Sequence, residues 1–209
     1  MLRRLIDELR ARGPLERGDR DLAGLLSRSG QAWHGAPGLA SRPGAYTRTC
    51  AYRSHGFEVL LLNWDAGAAS PIHDHGGQHC WMVVLDGELE VENYARTDRG
   101  DVAGYARIEA RDAQTLGAGA IDMRSGPFDL HRVAAPHRAP AVSLHVYAAP
   151  LNEYFVYDPL SDRCERAAGA YDAVLSLYVN RSGLRAPARD PLPGEMPMEG
   201  SISSEVWGR

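Results

Sequence analysis

The sequence lacks the features that mark membrane-spanning and nucleic-acid-binding proteins. It has no apolar stretch near the ~20 residues that cross a bilayer, and no run of basic residues. Its 209 residues carry 23 Lys and Arg against 27 Asp and Glu, a formal net charge of -4. This balance argues against a nucleic-acid partner, and we expect the protein to bind neither nucleic acid nor membranes.

Cysteine is also scarce. The three cysteines extend from Cys50 to Cys164, an odd number that does not suit the disulfide framework of a secreted protein. The first residues, MLRRLIDELRARG, interrupt every apolar stretch with charges, unlike a signal peptide. We therefore expect a cytoplasmic protein of one main domain, long enough to bury a core without covalent cross-links.

The N-terminal residues 1–30 have a helical pattern. Apolar side chains recur at helical spacing from Leu2 to Leu9 until Gly13, and Asp21–Ser27 predicts a second short helix that ends at Gly30. We expect both helices to pack their apolar stripes on the rest of the domain, with partner binding as the alternative. Residues 31–44 hold Gly, Pro and Ser and indicate a connecting loop.

From residue 46 to 158 the chain consists mostly of short strand-like runs separated by Gly, Asp and Pro. The candidate strands are Tyr46–Tyr52, Phe57–Trp64, Cys80–Leu85, Glu88–Tyr94, Tyr105–Ala110, Asp129–Ala134, Ala141–Tyr147 and Tyr154–Tyr157. Many short strands predict an all-β sandwich or barrel. Asp86–Gly87, between two of them, predicts a hairpin. The strand pattern fades after Asp158, and residues 183–209 predict an irregular tail.

Two histidines, His73 and His75, lie one residue apart between a Gly/Ser/Pro segment and an apolar run. Side chains at i and i+2 of an extended segment share a face, about 7 Å apart along the strand, so both can bind one metal ion. An isolated pair of this kind more often faces solvent or is hydrogen-bonded in a core. Here, however, the spacing from Gly67 through Cys80 to Gly87 resembles the first cupin motif, with Cys80 where most cupins carry a glutamate ligand.

Further polar residues lie in the later strands. His131 lies in a strand expected to run back past the histidine pair, and His137, in a Pro-flanked loop, is the rival third ligand. Ser143, His145 and Tyr147 alternate and so share one face. We expect that face to point inward, because the alternate positions 142, 144 and 146 already form an apolar face that needs covering.

Together these stretches resemble the cysteine dioxygenase family, whose members are cupin barrels with a three-histidine iron site. The matching stretches are Tyr46–Arg48, Trp64, Ile72–His75, His79–Cys80, Leu130–Val133 and Ala141–Tyr147. The resemblance implies a mainly β protein. The expected fold is a cupin-type β-barrel (double-stranded β-helix or jelly roll) over residues 31–182, with short N-terminal helices.

The resemblance also implies a role for each matching residue. His73, His75 and His131 would bind Fe(2+); Arg48 would bind the substrate carboxylate, with Tyr46 beside it; Cys80 and Tyr147 would be the pair that can form a thioether cross-link; Ser143 and His145 would orient the Tyr147 phenol. The phenol would donate a hydrogen bond that positions the reactants and stabilises charge.

The implied activity is that of an Fe(II) thiol dioxygenase adding both atoms of O₂ to the sulfur of L-cysteine, to give cysteine sulfinate. Three neutral imidazoles contribute no negative charge, unlike the usual site of two His and one carboxylate, and a thiolate substrate can supply it. Arg48 suits a carboxylate because its planar fork donates two parallel hydrogen bonds. The partners would be a small thiol and O₂, and the protein a monomer or weak homo-oligomer.

Two departures from the family bear on the substrate. Ala148–Pro150 stands where cysteine-specific members show Ser-Pro-Pro, and Tyr154 stands where animal enzymes have a smaller residue, so we expect an altered pocket floor at Ala148 and Ala149. Retention of Arg48 favours an amino-acid thiol. The alternatives are another small thiol, such as 3-mercaptopropionate or a bulkier sulfur metabolite, or a non-catalytic metal-binding cupin. An isomerase-type cupin is a further possibility, but those enzymes generally keep the glutamate.

Overall fold

The computed structural model of this chain describes residues 1–16, 20–35, 39–126 and 129–175. The described elements are α1 (Leu2–Ala11), α2 (Arg20–Gln31), β1 (Tyr46–Arg53), β2 (Glu58–Trp64), β3 (Ile72–His73), β4 (Cys80–Asp86), β5 (Glu88–Arg96), β6 (Ile108–Gly117), β7 (Ile121–Arg124), β8 (Leu130–Ala134), β9 (Ala141–Tyr147), β10 (Glu153–Asp158), β11 (Arg163–Ala168) and β12 (Ala173–Val174). Neither of these helices has the length and apolar character needed to cross a membrane. The predicted tail, 183–209, and the end of the predicted domain lie outside the described residues.

The strands form two six-stranded sheets. The first has the order β12-β1-β2-β9-β4-β7 and the second the order β11-β10-β3-β8-β5-β6. Neighbouring strands are antiparallel except for β1 and β12. The chain passes repeatedly from one sheet to the other, and side chains of both sheets meet in a common core. This is the double-stranded β-helix of the cupins, and the predicted fold class is confirmed.

The central strands of the first sheet are buried on both faces, which explains their nearly continuous apolar sequences. In β2, Leu60 and Leu62 point into the barrel core, whereas Val59 and Leu61 pack against the apolar stripes of α1 and α2. Strands β4 and β9 alternate in the same way. The apolar stripes of both helices thus pack on the outer face of the first sheet.

The prediction of a hairpin at Asp86–Gly87 is wrong, because the two strands that flank it do not pair with each other. Strand β4 pairs with β7 and β9 in the first sheet, and β5 pairs with β6 and β8 in the second. Gly87 bends the chain between the sheets at φ 72°, and a Cβ there would lie 2.5 Å from the carbonyl oxygen of Pro140. The positive φ and the close approach both require glycine, so the same dipeptide serves an inter-sheet bend.

Several strands were missed or misplaced by the sequence patterns. The run predicted at Tyr105–Ala110 is shifted, because β6 spans Ile108–Gly117 as an edge strand with most of its side chains exposed. The strands also continue after Asp158, where the sequence pattern fades, since β11 and β12 follow. Strand β11 is an edge strand with Arg and Glu at its exposed positions, and such strands show no apolar alternation that would reveal them.

Candidate metal centre

The structure brings His73, His75 and His131 together inside the barrel. His73 of β3 lies directly opposite His131 of β8, and His75 follows two residues later, beyond the end of β3. The ring centroids lie 5.1 Å (His73–His75), 4.7 Å (His73–His131) and 4.9 Å (His75–His131) apart. One ligand atom from each ring lies within 4.8 Å of the other two.

Asp74, between two of the histidines, holds this segment in place. Its Oδ1 accepts hydrogen bonds from the backbone N–H groups of Gly76 and Phe155, both at 3.0 Å, and its Oδ2 accepts one from the Tyr157 hydroxyl at 2.8 Å. The Asp-x-Gly spacing is a signal for an Asx turn that sequence reasoning overlooked. Asp74 therefore fixes the turn that carries His75 back beside His73.

The three imidazoles fit a single divalent transition-metal ion. Burial, above all, lowers the pKa of His73 to about 4 and holds the pKa values of His75 and His131 well below the ordinary 6.5, so the rings are neutral. The Nδ1 of His73 lies 3.0 Å from the carbonyl oxygen of Pro71, which leaves Nε2 for a metal. An ion binding imidazoles at about 2.1 Å needs the nitrogens within roughly 4 Å of one another, which small ring rotations achieve from this arrangement.

The rival ligand, His137, lies elsewhere. It follows β8 and packs against Gly67 at a separate hollow that also contains Glu90 and Arg138. Among the described residues it does not join the histidine cluster.

A pocket leads to the histidines. Its lining combines aromatic and aliphatic side chains with Arg48 and two of the three histidines: Tyr46, Arg48, Leu62, Trp64, Ser70, Pro71, His73, His131, Val133, His145, Tyr147, Leu151 and Tyr154. Arg48 is 5% exposed, so its guanidinium is withdrawn from bulk solvent. No acidic side chain lines this pocket in the described part of the chain.

Aromatic rings surround Arg48. Tyr46 stacks on Trp64 with ring centroids 4.8 Å apart. The Cζ of Arg48 lies 5.9 Å from the ring centroid of Tyr154, whose other neighbour is His73, also at 5.9 Å between centroids. The Tyr154 ring therefore neighbours both the guanidinium and the histidine cluster, and it forms part of the pocket wall beside them.

The residues predicted to form an inward polar row do point into the barrel, although the hydrogen bonds differ from the prediction. Trp64 Nε1 donates to Ser143 Oγ at 2.9 Å, and Ser143 Oγ lies 2.9 Å from His145 Nε2. The serine oxygen has two acceptor lone pairs, so it accepts from the indole and also shares a hydrogen bond with Nε2 of the neutral His145 ring. Tyr147 joins the row by stacking on His145, with centroids 6.2 Å apart and planes 17° apart.

Cys80 and Tyr147 lie directly opposite each other on neighbouring strands β4 and β9. Both are buried. Burial, followed by the charge of Asp122, raises the pKa of the Cys80 thiol, and burial, followed by Cys80, raises the pKa of the Tyr147 phenol. Both groups thus keep their protons at neutral pH.

The structure does not place at the pocket the two alanines that were expected to form its floor. Ala148 and Ala149 do not line the pocket; their N–H groups donate to the backbone oxygen of His79 and to Gln78 Oε1. Leu151 and Tyr154 line it instead. The N–H of Leu151 donates to Oε2 of the fully buried Glu58 at 3.2 Å, a contact across 93 residues that no local pattern signals.

Comparison with known proteins agrees with this geometry. The family described as "Cysteine dioxygenase type I" matches residues 42–159. Cysteine dioxygenase type 1 of Danio rerio is 29% identical over 144 residues, covering 68% of this chain and 67% of the relative. The Homo sapiens protein of the same name is 28% identical over 144 residues, covering 68% of this chain and 66% of the relative.

Solved structures with a related architecture are more distant. An RmlC-like cupin protein from Desulfovibrio desulfuricans has a TM-score of 0.38 and 19% identity, covering 56% of this chain and 94% of that chain. Oxalate oxidase in complex with the substrate analogue glycolate has a TM-score of 0.42 and 16% identity, covering 56% and 59%. The cupin architecture of this chain is established by its own strand order and pairing.

Proposed function

Because this chain belongs to the cysteine dioxygenase type I family, we propose that it is a non-heme Fe(II) thiol dioxygenase. Its preferred reaction would be the addition of both atoms of O₂ to the sulfur of L-cysteine, giving cysteine sulfinate. Sulfur loses four electrons and O₂ gains four, so no external reductant is consumed. The small-molecule thiol and O₂ are the proposed partners.

The observation that carries this proposal is a cluster of three neutral histidines, two of which line the same small pocket as a buried arginine, Arg48. A set of imidazoles without a carboxylate suits iron, zinc or copper, and it leaves the negative charge to be supplied by the substrate. When bound, the iron supplies the redox centre at which the thiolate and O₂ react. Arg48 holds the other end of the substrate through its carboxylate.

The remaining side chains bind and orient the substrate. The stack of Tyr46 on Trp64 forms a rigid wall beside Arg48. Tyr147, whose pKa is raised by burial, keeps its proton and can donate a hydrogen bond to the reacting groups at the histidine cluster, where its ring lies 6.1 Å from that of His75. The bonded row Trp64–Ser143–His145 fixes the ring on which Tyr147 stacks.

One observation favours a second thiol. The lining contains a cation for the carboxylate but, among the described residues, no carboxylate for a substrate ammonium group. The amine of cysteine would have to enter neutral and bind the metal, whereas 3-mercaptopropionate has no amine and needs no such partner. The aliphatic side chains of Leu62, Val133 and Leu151 suit the methylene groups of either compound.

The opposed pair Cys80 and Tyr147 supports the proposed thioether cross-link. A bond between Sγ and the ring carbon ortho to the hydroxyl (Cε) replaces one S–H and one C–H bond and releases two protons and two electrons, which O₂ can accept to give hydrogen peroxide. The intact mass should then be lower by the mass of two hydrogens, and the difference should disappear in Cys80→Ala. All three cysteines are free thiols, which suits the reducing cytoplasm, the proposed location.

The decisive experiment is O₂ uptake by the Fe(II)-loaded protein with L-cysteine, 3-mercaptopropionate, cysteamine and a bulky thiol, with each product identified by mass. Uptake with cysteine coupled one-to-one to sulfinate would support the proposal. A preference for 3-mercaptopropionate would keep the chemistry and change the substrate. Full activity in His73→Ala, which removes a ligand, would refute the assignment, and iron binding without uptake of O₂ would favour a binding cupin.

A further inference from the structure

Next to His131, and outside the pocket lining, lies a largely buried network of charged residues that the proposed chemistry does not use. Asp122 Oδ2 lies 3.2 Å from His131 Nδ1, with side-chain exposures of 6% and 2%. The pair does not form a hydrogen bond, so Nδ1 is buried next to a carboxylate without being bonded to it. A small rotation of the ring would complete that bond.

Asp122 is itself held rigidly. Arg124 Nε and Nη2 donate to its two oxygens, both at 2.7 Å, in a bidentate pair. Arg124 Nη1 donates to Asp129 Oδ1 at 3.0 Å, and Asp129 Oδ2 accepts the backbone N–H of Ser125 at 2.8 Å. Asp129 immediately precedes β8, the strand that carries His131. The network therefore joins β7 to the start of the ligand's own strand.

The charges of this network complement the ligand set. Three neutral imidazoles bring no negative charge to a divalent ion, whereas Asp122, Arg124 and Asp129 together carry a net charge of one negative unit directly behind one of them. Ligating histidines generally donate their other ring N–H to a carboxylate or carbonyl, which fixes the ring and makes the ligand nitrogen more basic. His73 has the Pro71 carbonyl for this purpose, and His131 has Asp122.

We propose that Asp122 is the positioning residue of His131, that Arg124 and Asp129 hold it in place, and that the network sets the metal affinity of the site. The proposal rests on the metal centre proposed above and concerns binding of the ion, independently of any oxygenase activity. No sequence pattern signals this network, because Ile121–Arg124 resembles a polar loop rather than a strand with two buried charged residues.

The test is the affinity of the purified protein for Fe(II), measured anaerobically against a chromophoric chelator, and for Co(II), measured from its visible absorption. Neither measurement needs a thiol or O₂. We expect Asp122→Asn to weaken binding of both ions by about 10–100-fold, the usual effect of losing an outer-shell partner. Affinity equal to that of the wild type would overturn the proposal.

The chain offers a matched control. Arg96 and Asp98 form a second bidentate pair with the same spacing, at 2.8 and 2.9 Å, but Asp98 bonds Gly100 and Arg107 instead of a histidine. Asp98→Asn should leave both affinities unchanged. A loss of affinity as large as that of Asp122→Asn would mean that any broken ion pair disturbs the site, and would overturn the proposal.

A second variant separates positioning from stability. Replacing a buried ion pair by apolar residues of similar size often preserves the fold, so the double variant Asp122→Leu with Arg124→Met should keep a melting temperature near that of the wild type. In this variant His131 would lack the Asp122 carboxylate, and the metal affinity should be lower than that of the wild type, as in Asp122→Asn. Wild-type affinity in this folded variant would overturn the proposal. Tight metal binding by the wild type without O₂ uptake would refute only the proposed function.

Discussion

Replacing Glu58 by Gln is expected to destabilise the protein and loosen the pocket together. Glu58 begins β2, and its side chain is 0% exposed. One carboxylate oxygen accepts from Arg53 Nη1 at 3.0 Å and from the Tyr171 hydroxyl, and the other accepts from the N–H of Leu151 at 3.2 Å. Because Leu151 lines the pocket, this one buried side chain holds a wall of the site against the barrel.

The expected loss of stability follows from the number of hydrogen-bond donors that surround the Glu58 carboxylate. Glutamine has the same shape but only one oxygen, and its NH₂ group must face at least one of the three donors. A buried donor left unsatisfied costs about 1–3 kcal/mol, and the Arg53 guanidinium also loses its counter-charge. We therefore expect a loss of about 2–3 kcal/mol in the free energy of unfolding. At roughly 2–4 °C per kcal/mol for a chain of this size, the melting temperature should fall by roughly 4–12 °C.

Differential scanning calorimetry of the metal-free protein measures this directly, with Glu165→Gln as the control. Glu165 lies exposed on the edge strand β11, and its substitution should change the free energy of unfolding by less than about 0.5 kcal/mol. The displaced Leu151 should also raise KM for cysteine more than it lowers kcat. A melting temperature of Glu58→Gln indistinguishable from the wild type would refute the reasoning, because the buried donors would then have found other partners.

Three further predictions concern the substrate, the pH and the backbone. Arg48→Lys should lower kcat/KM for cysteine about 10–100-fold in steady-state O₂ uptake, since lysine cannot donate the bidentate pair, while any rate with cysteamine, which has no carboxylate, stays unchanged. Burial lowers the pKa of His73 to about 4, so the unfolded chain binds a proton that the folded chain does not. Urea titrations should therefore show the metal-free protein losing stability as the pH falls from about 6.5 towards 4. Stability that rises over this pH range would contradict a lowered pKa of His73 in the folded protein. At Gly169 a Cβ would lie 1.8 Å from the Leu151 carbonyl oxygen, so Gly169→Ala should cost about 1–3 kcal/mol in the same titrations, whereas Gly117→Ala, with nothing within 4 Å, should be nearly neutral.

The sequence was sufficient to predict strands and side-chain directions where the burial of a residue is reflected in the local pattern of apolar and polar residues. The apolar strands β2, β4 and β9 were recognisable because helices cover one face and the barrel core the other. Ser143, His145 and Tyr147 alternate along their strand, which predicts that all three lie on one face. The apolar residues between them indicated which face points inward.

Prediction failed where polar side chains point inward or apolar ones are few. Strand β7 carries Asp122 and Arg124 into the protein, so its four residues resemble a loop. The partners of Glu58 lie 93 and 113 residues away, and a contact of that kind leaves no periodic pattern. The chain does turn at Asp86–Gly87, as the local signal predicts. The two flanking strands do not pair, however, because β4 is buried on both faces within the first sheet, between β7 and β9.

The charges near the pocket are arranged so that negative groups lie behind its walls. Asp74, Glu58 and Asp122 are all buried, and donors outside the pocket lining hold each of them. Asp74 and Glu58 accept hydrogen bonds from backbone N–H groups and tyrosine hydroxyls, and Glu58 also accepts one from an arginine. Asp122 accepts hydrogen bonds from Arg124. The lining itself offers Arg48 and neutral imidazoles, to which a bound ion would add two positive charges. A carboxylate and a thiolate on the same substrate offset two of these three positive charges, whereas a substrate that carries an ammonium group adds a further one. We therefore expect the Fe(II)-loaded protein to prefer an anionic thiol to a cationic one.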